Sequence, residues 1–153
     1  MTRVLDRGTA IGEELFEAIE LLVFGAIGLT SFALAQSSLA DLTLHQWRAL
    51  VVIGRAGTIR VGEVAMQIGT ALSATSRLLS RLERRGYVTS ARDENDRRAT
   101  NVRLTPLGEQ VRVAVIQRRR QLMQDALRND QTQLPKDLAD GLHALGKAFA
   151  PYT

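Results

Sequence analysis

Apolar and polar positions follow a helical period over most of the chain, broken once by a short stretch of alternation. From Gly12 to Ala35 they predict one long helix, polar where Glu13, Glu14, Glu17 and Glu20 open it and apolar all round later. Thr43-Leu-His-Gln46 has the form of a capping box. Leu44, Trp47, Leu50 and Val51 then recur at helical spacing, predicting a helix from Leu44 to Arg55 that Gly54 and Gly57 stop. Thr58-Ile-Arg60 is a short β-like piece. A helix over Val61 to Ile68 turns Val64, Ala65 and Ile68 inward, and Gly69-Thr70-Ala71 makes a turn. The next helix, Leu72 to Arg85, should bury Leu72, Thr75, Leu78, Leu79 and Leu82, leaving Ser73, Ser76, Arg77, Ser80, Arg81 and Arg84 outside.

Gly86 can supply the left-handed residue that ends this helix. Tyr87 to Arg92 and Thr100 to Leu104 read as paired strands joined by the loop Asp93 to Ala99. Thr105-Pro106 places a cap before a proline at the first helical position, opening a long helix to about Arg128. After a polar break, Pro135 opens a last helix with Leu138, Leu142, Leu145 and Phe149 along one side.

The resulting fold class is mainly α with a small β-hairpin, in the order α-α-β-α-α-β-β-α-α. It reads as a winged helix-turn-helix over residues 42–105, flanked by dimerisation helices at 1–41 and 106–153 within one compact domain. The end helices exceed what a DNA-reading unit needs, and packing against a second copy is the economical use for them. Leu21 to Ala35 is uncharged and strongly apolar but only about fifteen residues long, short of the roughly 18 to 20 that span a bilayer. A dimer helix is therefore expected, with no membrane role.

Charge places the function. The chain carries twenty basic and sixteen acidic residues, net +4. Residues 1–54 hold three basic and six acidic groups, net −3; residues 55–103 hold ten and five, net +5; residues 104–153 hold seven and five, net +2. The excess is concentrated in the middle third, where every basic group is arginine. It falls on a helix and an adjoining β-ribbon, which can meet DNA in two neighbouring grooves. At about 1.5 Å per residue the helix is roughly 21 Å long, enough to lie in a major groove.

Other chemistry is excluded by composition. With no cysteine there are no disulfides, thiolate metal sites or thiol redox sensing. His45 and His143 form no metal-ligand motif, so no metal is expected. No nucleophile–base pair or phosphate loop is present, so neither an enzyme nor a cofactor is expected. No basic-apolar-small leader opens the chain, which points to a cytoplasmic protein.

Three motifs together carry a family resemblance: Leu44-His-Gln-Trp-Arg-Ala-Leu50, Thr75-Ser-Arg-Leu-Leu-Ser-Arg-Leu-Glu-Arg-Arg-Gly86, and Asp96-Arg-Arg98 followed by Val102-Arg-Leu-Thr-Pro-Leu-Gly108. The chain resembles the MarR-type (multiple antibiotic resistance) transcription regulators, most strongly from Thr43 to Gly108. The resemblance implies a bacterial or archaeal homodimer with intertwined end helices. It also implies a pseudo-palindromic operator and release by a small aromatic or lipophilic effector. It places Ser73, Ala74, Ser76 and Arg77 on the groove-facing start of the recognition helix. It matches Arg98 to the wing arginine that enters the minor groove, Asp96 to the acid two positions earlier, and Arg81 to a basic position that pairs with that acid in some members. Arg84 and Arg97 complete the expected DNA-facing set. Ala71 departs from the family's usual serine or threonine, which leaves the cap to Thr70 or to no side chain.

The residues themselves support these roles. A guanidinium is planar and less strongly hydrated than an ammonium, which suits Arg98 to a narrow minor groove. Asp96 would fix the arginine's direction and reduce the entropy lost on binding. Phe24, Phe32, His45, Trp47 and Arg48 could line an effector pocket between the dimer and DNA-binding parts, and Arg118-Arg-Arg120 reads as a solvated helix face. The alternative function is a winged helix used as a protein-interaction module without specific DNA readout.

Overall fold

The computed structural model describes residues 7–37, 41–93, 96, 98–129 and 133–150, with side chains from residue 12 onward. Among the described residues, six helices and three strands follow in the order α1 (Arg7–Ala35), α2 (Leu44–Ala56), β1 (Thr58–Arg60), α3 (Val61–Ile68), α4 (Leu72–Arg84), β2 (Val88–Arg92), β3 (Thr100–Leu104), α5 (Pro106–Asn129) and α6 (Leu138–Phe149). The fold is mainly helical with a small antiparallel sheet, as expected. That sheet has three strands, however, in the order β1-β3-β2. Ile59 of β1 pairs with Val102 of β3, which in turn pairs with Ser90 of β2.

The core forms where α2, α3, α4 and the sheet meet α5. Leu50, Ile53, Val64, Leu82, Val88, Val102, Val111 and Val115 are almost wholly removed from solvent there. Ala33 and Leu34 bring the C-terminal end of α1 into the same cluster.

Local chemistry sets the helix ends. The capping box at α2 forms in both directions: the Gln46 backbone N–H donates to Thr43 Oγ1 at 3.3 Å, and the Thr43 N–H donates to Gln46 Oε1 at 3.0 Å. Gly57, at φ 76, ends this helix, and Gly54 does not. Gly54 lies inside α2 under the Arg112 side chain, where a Cβ would stand 2.7 Å from it. At α4 the N-cap Ala71 makes no side-chain cap. Thr70 Oγ1 instead hydrogen-bonds the fully buried Thr75 hydroxyl at 2.7 Å. Leu72, expected inside, is exposed because the first turn of α4 projects past the core.

The wing is pinned to the body at one close approach. Thr105 donates its N–H to Tyr87 O at 3.0 Å and its hydroxyl to Gly86 O at 2.6 Å, then accepts the Gly108 N–H at 3.1 Å. Gly108 packs so tightly that an added Cβ would lie 1.9 Å from the Tyr87 carbonyl oxygen.

Two expectations about the end helices change. Helix α1 starts at Arg7, and its segment Gly12–Ala35 is long and apolar enough to cross a membrane by length and composition. Its final turns nevertheless sit against arginines of α5. Arg118 donates to Gln36, and Arg119 Nη1 donates to Thr30 Oγ1 at 3.3 Å. A bilayer around those turns would draw guanidinium groups into hydrocarbon, a large cost. Helix α6 begins at Leu138, after Pro135, and buries none of its residues within a single chain.

Candidate nucleic-acid interface

Helix α4 presents one face to the core and the other to solvent. Thr75, Leu79 and Leu82 are buried, while Ser73, Ser76, Arg77, Arg81 and Arg84 are exposed and Ala74 is half-buried. The hydroxyls of Ser76 and Ser80 each donate to the carbonyl four residues back, Leu72 O and Ser76 O, both at 2.9 Å. This leaves oxygen lone pairs outward as acceptors. Arg85 faces away from this surface: Nη1 donates to Asp41 O at 2.5 Å and its guanidinium lies 5.2 Å from the Tyr87 ring centre.

The wing loop is organised by its acids. Asp96 Oδ1 accepts the backbone N–H of Arg98 at 3.0 Å, and the Asp96 N–H donates to Asp93 Oδ1 at 3.0 Å. The other oxygen of Asp93 accepts from Asn101 Nδ2 at 3.0 Å and from Arg60 Nη2 at 3.3 Å. Backbone bonds from Asp93 N–H to Ala99 O and from Ala99 N–H to Asp96 O close the loop. Arg98 is exposed at its end. Arg97 lies outside the described residues.

This geometry alters one expectation. No Arg81–Asp96 ion pair is present among the described residues; the oxygen Oδ1 of Asp96 accepts from the Arg98 main chain instead. The ion pair tying the wing to the body is Arg60–Asp93, 3.3 Å. Neither partner stood out in sequence, since Arg60 is a lone arginine in a three-residue strand and Asp93 an ordinary turn residue. A cleft of about 750 Å³ separates α4 from the wing, with Ser76 and Ser80 on one side and Arg60 and Arg98 among its other walls.

Within a single chain, the five residues expected to line an effector pocket do not converge. Phe24 and Phe32 are exposed on α1. His45 is also exposed, and it lines a smaller cleft beside Arg77 and Arg81. Arg48 donates to Gln67 O at 3.1 Å. Trp47 is buried in the core, beneath Arg119, whose guanidinium is 5.4 Å from the ring centre. For Phe24 and Phe32, helical periodicity could not give a direction, because the later part of α1 is apolar on every side.

Arg119, placed by sequence on a solvated face, is half-buried. Burial, and then the nearby Arg55, lower its guanidinium pKa below the ordinary value. It has no carboxylate partner among the described residues. It stands at the edge of an apolar trough of about 700 Å³ between α1 and α5, lined by Leu21, Leu22, Gly25, Leu29 and Met123. No group of acidic, histidine or cysteine side chains able to hold a metal is found among the described residues.

Residues 40–99 match the model of the MarR family. An uncharacterized HTH-type transcriptional regulator of Bacillus subtilis, YfiV, is 38% identical over 65 residues. That match spans 42% of this chain and 41% of the relative, so the chain spans less than half of that relative's length. Among solved structures, a mutant MarR from E. coli is 28% identical at a TM-score of 0.70, covering 90% of this chain and 96% of that one. FabT of Streptococcus pneumoniae in complex with DNA has the same fold at a TM-score of 0.70 and 20% identity, covering 92% and 99%.

Proposed function

We propose that this chain is a winged-helix transcription regulator of the MarR family, a repressor that binds a pseudo-palindromic double-stranded DNA operator as a homodimer. The observation that carries the reading is the exposed arginine face of α4 beside a wing ending in Arg98. The helix would read base edges in the major groove while Arg98 enters the adjacent minor groove. The acids of the wing hold its main chain in advance, so less entropy is lost on binding.

Residues 1–41 and 106–153 form the dimer in this reading, around the DNA-binding region 42–105. Supporting it, Leu21, Phe24, Leu142 and Phe149 are exposed in the single chain, a large apolar surface that a second copy would cover. A two-fold pair would set its recognition helices about one DNA turn, roughly 34 Å, apart. The protein would act in the cytoplasm, on the nucleoid.

The effector in this reading is a small lipophilic or aromatic compound. The α1–α5 trough supports it, since a half-buried cation above apolar walls suits a lipophilic anion. Such a ligand releases DNA only by binding the non-DNA geometry more tightly. Genomic footprinting with purified protein tests the core of the proposal: discrete protected sites are expected, and uniform, sequence-indifferent coverage would indicate a protein-interaction module instead.

A further inference from the structure

A duplex that receives a helix in its major groove and a hairpin in the neighbouring minor groove has one sugar–phosphate strand between the two. In this protein the space between helix and hairpin is the cleft walled by Ser76, Ser80, Arg60 and Arg98. Two further walls are acidic, Glu63 and Glu83. Both carboxylates are engaged by backbone donors: Glu63 Oε2 accepts the Arg60 N–H at 3.2 Å and Glu83 Oε1 accepts the Ser90 N–H at 2.8 Å. A strand seated here therefore needs cations that outweigh these acids.

We propose that Arg60 is a phosphate-contacting residue, acting with Arg98 on the strand that crosses this cleft. The inference rests on the DNA-binding reading above and adds a residue outside the recognition helix and the wing tip. Arg60 is suited to the task because its pair with Asp93 involves a single nitrogen, Nη2, at 3.3 Å. A guanidinium has five N–H donors in a rigid fork, so one such bond aims the group and leaves donors for an anion. Asp93 shares its carboxylate with Asn101 and the Asp96 N–H, which spreads its charge over several partners. The Arg60 side chain is 47% exposed, open to the cleft while held at one edge. Asp93 thus acts as a positioning residue for Arg60 as well as for the wing.

The salt dependence of duplex binding tests this, because each neutralised phosphate adds to the slope regardless of sequence. A mixed-sequence duplex of about 30 base pairs therefore serves as probe. Arg60→Gln keeps an amide donor toward Asp93 and removes the charge; Arg60→Lys keeps the charge. With one phosphate left unneutralised in each half of a dimer, Arg60→Gln should reduce the slope of log K against log salt by about 1.8 (roughly 0.9 per phosphate). Arg60→Lys should retain the wild-type slope at reduced affinity. Melting curves establish that both variants fold. An Arg60→Gln slope equal to wild type would overturn the assignment. Wild-type protein that binds no duplex would overturn it together with the DNA-binding reading.

Discussion

The Asp96 carboxylate accepts a hydrogen bond from the main chain of Arg98 at 3.0 Å. The acid thus fixes the arginine's backbone while no ion pair to its guanidinium occurs among the described residues. In the proposed DNA-binding reading this lets an acid sit beside the wing arginine, ordering the loop without pairing with the cation. Arg98→Ala should weaken operator binding about tenfold or more while the melting temperature stays unchanged. Asp96→Ala should cost less, about 1 kcal/mol or roughly fivefold, the worth of one ordinary hydrogen bond. Fluorescence anisotropy checks both, and an unchanged affinity for Arg98→Ala would remove this residue from the interface.

Gly108 is the tightest of the glycines among the described residues. A Cβ at that site would overlap the Tyr87 carbonyl, which also accepts the Thr105 N–H. Gly108→Ala should therefore destabilise by about 3 kcal/mol, the upper end of overpacking costs. Urea denaturation measures this, and a change below about 0.5 kcal/mol would show that the junction yields.

Arg119 should decide ligand capture. Thermal-shift measurements with aromatic and aliphatic carboxylic acids should raise the melting temperature of the wild type. Saturation near 100 Kd adds about 2.7 kcal/mol, or roughly 5 to 10 °C for a domain of this size. Arg119→Met preserves the packing volume over Trp47 and should abolish that shift. A shift of the same size in the variant would exclude Arg119 as the anion's partner.

Acid should act through Glu109 and Arg112. Hydrogen bonds from Arg112 hold the Glu109 carboxyl below its ordinary pKa, and the 2.5 Å separation marks the pair. A depressed folded-state value means that the stabilisation is present above the unfolded carboxylate pKa. It is lost as pH falls through the folded one. Because Glu109 is nearly half exposed, the pair's worth is below about 1 kcal/mol. Melts of wild type and Glu109→Gln should differ little near pH 3 and favour the wild type near pH 7. Identical curves at both values would show that the pair contributes nothing.

Features set by neighbours in sequence are legible without the structure. The Thr43 capping box, the left-handed Gly86 and the Thr105-Pro106 start each depend on a few adjacent residues, and each occurs where the pattern puts it. The split of α4 into a buried leucine face and an arginine face follows from one helical period. Pairing across distance is not legible. Nothing near Ile59 announces Val102 as its partner, and nothing in Arg60 announces Asp93, thirty-three positions away. Arg119 escapes a sequence reading for the same reason: its surroundings, Thr30 and Trp47, come from two other helices. Gly54 looks like a helix stop because sequence does not show the Arg112 side chain lying over it.

Whether two copies of the α4–wing unit read DNA sequence is tested most directly by selection from a pool of random duplexes with the purified protein. An inverted repeat with half-site centres about 10 base pairs, or one helical turn, apart should be enriched. The selected site should bind at least about 10³-fold more tightly than a scrambled duplex of equal length at the same salt. A pool that emerges unenriched, with all duplexes bound equally, would contradict sequence-specific reading by this protein.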